Sequence, residues 1–213
     1  GMINFRILQD ALGKHQDKDI KIVLIHHHVV PVPMAGRERN VLSNAGDILN
    51  LLLRYNVDLV LSGHRHYPNV HQVERTLFIN AGTLSSSKTR YGDVNSYGVI
   101  EIDGDRFRLT TRRVNGESKV QQFFMAKPRV FKELGKRKFR IAHLSNTFIS
   151  DKPVFLRNHF NNAVRSMNRY KPDLVAHCGG IVYEGIPHDY HLAGEMIDLI
   201  ESPKIFAPAG RDI

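Results

Sequence analysis

The chain has 213 residues, 42% apolar and 24% charged, with a formal net charge of +9. That length suits one domain with an ordinary core, and no apolar run reaches the roughly 18 residues of a membrane-spanning helix, so no membrane contact is expected. A single cysteine, Cys178, excludes an intrachain disulfide and a thiolate metal cluster. The opening GMINFRILQD shows no basic-then-apolar leader, and with the lone thiol this places the chain in the cytoplasm as an expectation. The positive balance favours anionic partners such as nucleotides, phosphorylated metabolites or nucleic acid. Only residues 127–138 (KPRVFKELGKRK) concentrate it, and such a run reads first as a solvated basic face.

In chain order, residues 6–14 read as a short helix, and 21–25 (KIVLI) as a strand buried on both faces. A capping residue at Ser43 opens a helix that carries Ala45, Ile48, Leu49, Leu52 and Tyr55 on one stripe and stops near Asn56. Residues 58–61 (DLVL) form a second buried strand. Short β-rich segments follow at 70–73, 76–79, 97–102 and 106–113, the last two joined by an Asp103-Gly104-Asp105 hairpin turn. Residues 117–138 read as a connector with a weak helix. Strand and helix then alternate: strands at 139–144, 173–177 and 204–207, helices at 153–170 and 189–201. In the first of these helices Leu156, Phe160, Val164 and Met167 share one side. Such alternation predicts a mainly parallel sheet covered by helices, with the β-rich middle adding a second sheet. The strands at 21–25, 58–61, 139–144 and 173–177 are expected to close one shared sheet.

In open α/β sheets ligands bind beyond the carboxyl ends of the strands. His26-His27-His28 follow the first strand, Ser62-Gly63-His64-Arg65-His66 the second, and Asn80-Ala81-Gly82-Thr83 the strand ending at Ile79. A lone histidine after a strand is most often a cap or a core residue. Two clusters after two strands point instead to a metal or phosphate site, present or ancestral, because neutral imidazole ligates zinc, manganese, iron and nickel. His71, His143, His159, His188 and His191 read as ordinary.

IHHHVVPVP, DLVLSGHRH and NAGTLSS resemble the later motifs of calcineurin-like metallophosphoesterases. IAHLSNTFIS, DLVAHCGGIVYEG and PKIFAPAGRDI resemble that family's opening motifs. The resemblance implies an α/β fold, a β-sandwich covered by helices in four αββα layers. It implies His26, His64 and His66 as metal ligands, and two divalent ions bridged by an aspartate for phosphoester hydrolysis. The motif order is reversed, so the domain is either circularly permuted or assembled from two partial domains. Residues 1–116 then form the C-terminal-type half, 117–138 the connector and 139–213 the N-terminal-type half.

Against the family pattern, Asn146 and Phe148 stand for Asp and His, Gly180 for the bridging Asp, and Gly210 and Arg211 for Asn and His. Phe148 could fill vacated metal space, while Asn146 and Gly180 also suit a turn and a left-handed position. No catalytic residue is assigned. Three imidazoles are expected to hold at most one divalent metal per chain (Mn, Zn, Fe or Ni). Two function classes stay open: a phosphoesterase with weak or altered activity, and a noncatalytic protein that binds a nucleotide, a phosphorylated ligand or a protein. Arg37 and Arg39 in AGRERN suit bidentate phosphate contact, although a solvated turn is the plainer reading. A homodimer exchanging halves, with a partner covering the site or supplying acidic ligands, is compatible with the long connector.

Overall fold

The computed structural model describes residues 4–18, 20–32, 42–104, 106–124, 138–210 and 212. Helix α1 (Phe5–Lys14) starts where the Asn4 side chain accepts a hydrogen bond from the Ile7 amide. It packs with α2 (Ala45–Arg54), whose Ile48, Leu51 and Leu52 recur at helical spacing and are buried. Both helices cover one face of a four-stranded sheet of order β1-β2-β4-β3, made from Ile22–Leu24, Leu59–Ser62, Thr76–Asn80 and Asn69–Val73. Strands β1, β2 and β4 are parallel, and β3 returns antiparallel to β4.

The second sheet has six strands in the order β10-β9-β8-β5-β6-β7: Lys204–Phe206, Leu174–His177, Lys138–Leu144, Ser96–Asp103, Arg106–Arg113 and Ser118–Phe124. Its outer face is covered in part by α3 (Arg157–Tyr170) and α4 (Pro187–Asp198), through Phe160, Val164, Met167 and Met196. Between the sheets lies a third apolar layer, where Leu59, Leu61, Leu77 and Ile79 meet Ile100, Ile102, Leu109 and Ile141. The architecture is therefore an αββα sandwich, as the resemblance implied. No helix among the described residues is long and apolar enough to cross a membrane.

Two expectations need correction. The four apolar strands expected in one sheet are divided, β1 and β2 in the smaller sheet, β8 and β9 in the larger. A run apolar on both faces demands cover on both faces, and a second sheet supplies it as well as a helix does. Residues 118–124 are also no part of a helical connector. They form β7, paired antiparallel with β6 from Arg112↔Ser118 to Arg106↔Phe124. The tight turn before it contains Gly116 at φ +94. Its Lys and Gln residues hid an edge strand, whose exposed side needs no apolar alternation.

The two halves of the chain meet at β5 and β8, an antiparallel ladder from Gly98↔His143 to Asp103↔Lys138. Ile141 lies in this ladder and is fully buried between the sheets. Ile141→Ala should therefore lower unfolding free energy by about 2–5 kcal/mol in denaturant titrations. A loss below about 1 kcal/mol would show that the seam is not packed as described.

Candidate functional site

The loops after β1, β2, β8 and β9 converge at one end of the sandwich. Gly63 makes this convergence possible. A Cβ there would lie 1.9 Å from Ser145 Oγ and 3.2 Å from the Cys178 carbonyl oxygen, so the first half's histidine loop crosses the second half's strand ends where no side chain fits. His64 and His66 on the one side, and Asn146 and Phe148 on the other, all have left-handed backbones, with φ of +66, +55, +54 and +50. These four face one another across the same loop cluster, and such strain concentrates at functional sites.

His26 Nδ1 lies 2.7 Å from the Cys178 carbonyl oxygen, to which it donates. Its Nε2 then carries the lone pair, and His64 Nδ1 stands 3.2 Å away as the donor. The His27 ring packs against His64 at 4.2 Å between centroids. Burial, with the neighbouring imidazoles His27 and His26, lowers the pKa of His64 to about 3. Burial also lowers His27 to about 4, and lowers His26 in the same direction. The cluster is therefore neutral at physiological pH.

His66 behaves differently. Its Nδ1 donates to the Lys88 carbonyl at 2.7 Å, and its ring packs against Phe148 at 5.3 Å. The Lys88 ammonium lies over the Tyr183 ring at 4.5 Å and over the Phe148 ring at 5.7 Å, which closes an aromatic rim. Lys88 carried no signal in the sequence, and Tyr183 lies inside the DLVAHCGGIVYEG segment at a position to which no role was assigned.

Asn146, Phe148 and Gly180 pack on one another. A Cβ at Gly180 would lie 2.7 Å from Asn146 Oδ1 and 3.0 Å from Phe148 Cε1, at a backbone φ of +71. The buried Asn146 amide nitrogen has no hydrogen-bond partner among the described residues. Asp212 is used structurally: its carboxylate accepts from the amides of Gly180, Ile181 and Ala209 at 2.8, 2.8 and 2.7 Å, and from Val182 at 3.2 Å. Gly210 is exposed, and a Cβ there would meet nothing within 4 Å. Arg37, Arg39 and Arg211 lie outside the described residues.

Of the three expected metal ligands the structure brings together two. His26 and His64 satisfy each other's facing nitrogens, and His66 is engaged with Lys88. Among the described residues no group of three His, Cys, Asp or Glu side chains is placed to hold a metal ion. As arranged, the described residues do not fit a metal centre.

Residues 8–105 match the model of the calcineurin-like phosphoesterase superfamily domain. Among solved structures, the chain resembles GAP50, the anchor in the inner membrane complex of Plasmodium. Identity is 20% over 58% of this chain and 42% of that one, with a TM-score of 0.48. It also resembles a predicted phosphoesterase from Streptococcus pneumoniae (22% identity, 38% of this chain, 48% of that chain, TM-score 0.33). A third is Vps29 from Entamoeba histolytica complexed with zinc (18% identity, 42% of this chain, 51% of that chain, TM-score 0.32). The chain spans about half, or less, of the length of these structures. No curated protein matches it.

Gly180→Ala should destabilise the protein by about 1–3 kcal/mol, since a left-handed position receives a side chain that also meets Asn146. Combining it with Phe148→Ala should recover little in melting experiments, because the backbone and Asn146 terms remain. Full recovery would assign the strain to the Phe148 ring instead.

A second outcome concerns pH. His177 and His143 are fully buried, and burial lowers their pKa values to about 3 and about 4. His177 Nδ1 accepts from the Gly179 amide at 3.1 Å, a bond that protonation would abolish. The folded values lie below the unfolded one near 6.5, so protons are taken up on unfolding. Stability is then complete above pH 6.5 and falls as pH drops from there toward about 4, by up to about 1.4 kcal/mol per pH unit for each histidine. His143→Gln should shallow that slope in urea titrations between pH 7 and 5, and an unchanged slope would remove His143 from the account.

Proposed function

Taking as premise that residues 8–105 belong to the calcineurin-like phosphoesterase superfamily, we propose that this metallophosphoesterase-like chain has a degenerate centre, which binds a phosphorylated ligand such as a nucleotide without turning it over efficiently. The observation that carries this reading is the closure around Gly180. Asn146 and Phe148 occupy the space that a bridging carboxylate would need, at 2.7 and 3.0 Å from its first carbon. A two-ion clamp needs anionic oxygens to offset two dications, and neutral imidazoles do not replace them. The unpartnered Asn146 amide and the lysine on the aromatic rim are donors suited to a phosphate oxygen.

The same reading takes residues 139–213 as the family's opening half in closing position. Its support is the β5–β8 ladder, which sets strands of the two halves side by side within one chain. Activity retained through a single rearranged metal site is the competing reading, favoured by the neutral His26 and His64 pair.

Metal analysis of purified protein should find at most one tightly bound divalent ion per chain, and stoichiometric occupancy by two would overturn the reading. Turnover of generic phosphodiesters with added manganese should stay near background. It should rise only when Asn146→Asp, Phe148→His, Gly180→Asp, Gly210→Asn and Arg211→His are combined, because Gly180→Asp alone meets Phe148. Wild-type rates equal to those of the combined variant would show that the centre is not degenerate.

A further inference from the structure

We infer that the uncovered half of the outer face of the six-stranded sheet binds single-stranded nucleic acid. Helices α3 and α4 cover that face over Tyr97, Val99, Ala142, Leu144 and Val175. Beyond them the strand register sets out two cross-strand rows. One runs Phe124, Arg106, Asp103, Lys138; the next runs Gln122, Arg108, Glu101, Arg140. Arg112 continues the Arg106 and Arg108 line along β6, opposite Ser118. Five cations therefore stand on one face against two carboxylates.

The carboxylates organise this face. Glu101, only 13% exposed, is shared by Arg108 at 3.6 Å, Lys138 at 3.2 Å and Arg140 at 3.8 Å, cations that remain 50%, 41% and 39% exposed. One partly buried negative charge thus holds three positive groups and leaves the surface net positive. Residues two apart on a strand are roughly 6.8 Å apart, a spacing comparable with the phosphate repeat of an extended single strand.

Aromatic groups flank the charges. The guanidinium groups of Arg112 and Arg140 lie over the Tyr170 ring at 4.9 and 5.2 Å, presenting planar faces at the rim beside α3. At the opposite edge, Phe124 on β7 is 66% exposed. Planar guanidinium and aromatic faces beside a cationic track are what stacked bases and their phosphates require. An acidic peptide would use the charge and not the planes.

The test is fluorescence anisotropy of the full chain with a labelled oligouridylate of about 12 nucleotides, matched to single-strand site sizes. Binding should weaken steeply with salt. Arg106→Glu with Arg108→Glu should weaken it at least tenfold and reduce the log–log salt slope by roughly 1.4, about 0.7 for each lost phosphate contact. Lys14→Glu with Arg54→Glu, an equal charge change on the helices over the other sheet, should leave binding within about twofold. Phe124→Ala, an exposed truncation that leaves the core intact, should weaken the oligonucleotide several-fold while leaving the binding of inorganic polyphosphate unchanged. Equal losses from both charge-reversal pairs, no effect of Phe124→Ala, or binding only to anionic phosphatidylserine vesicles would each overturn the proposal.

Discussion

The ladder between β5 and β8 is the contact on which the rest of the molecule depends. Without it the first half would cover the inner face of its four-stranded sheet with β5 and β6 alone, and the second half would keep three parallel strands with nothing on their inner side. Pairing Ile100↔Ile141 places both halves' apolar side chains in the inter-sheet layer, and pairing Val99↔Ala142 does the same on the outer face under the helices. It also fixes the height at which β8 and β9 end, and so brings Asn146 and Gly180 level with the histidine loops. Gly63 against Ser145 is the local consequence: two loops from distant parts of the chain pass at a distance that excludes even a methyl group.

Much of this was legible in the sequence, for reasons that differ by element. Strands such as β1 and β2 announced themselves through unbroken apolar runs, and the β5–β6 hairpin through its Asp-Gly-Asp turn, closed by Asp103↔Arg106 pairing. Helix α3 starts later than expected, at Arg157. Residues 153–156 instead carry Phe155 into a bridge with Ser86, a tertiary contact that no local periodicity encodes. Strand β7 escaped notice because edge strands are selected for polarity and hairpin geometry. The division of strands between two sheets could not follow from apolarity, which reports cover without saying what provides it.

For the site, residue types were readable and arrangement was not. Strand-end position marked His26 and His64, and the family resemblance added Asn146 and Gly180. Which nitrogen faces which is decided by backbone acceptors at Cys178 and Lys88, contributed by loops far away in sequence. The packing there is coherent: an amide and a phenyl ring close on a glycine, and the Asp212 carboxylate accepts from backbone donors.

Cys178 sits at the point where these relationships cross. It is fully buried, its carbonyl orients His26, its sulfur lies 3.4 Å from His143 Nε2, and burial pushes its thiol well above the usual range. A protonated, enclosed sulfur is inert to alkylating reagents while the seam stays shut. As the sole thiol in the chain, it makes the protein its own reporter. The rate at which a maleimide consumes it, compared with an unfolded control, measures how often the two halves part in otherwise native solution. The site's integrity can thus be followed without knowing any ligand, by counting the moments at which one sulfur becomes visible.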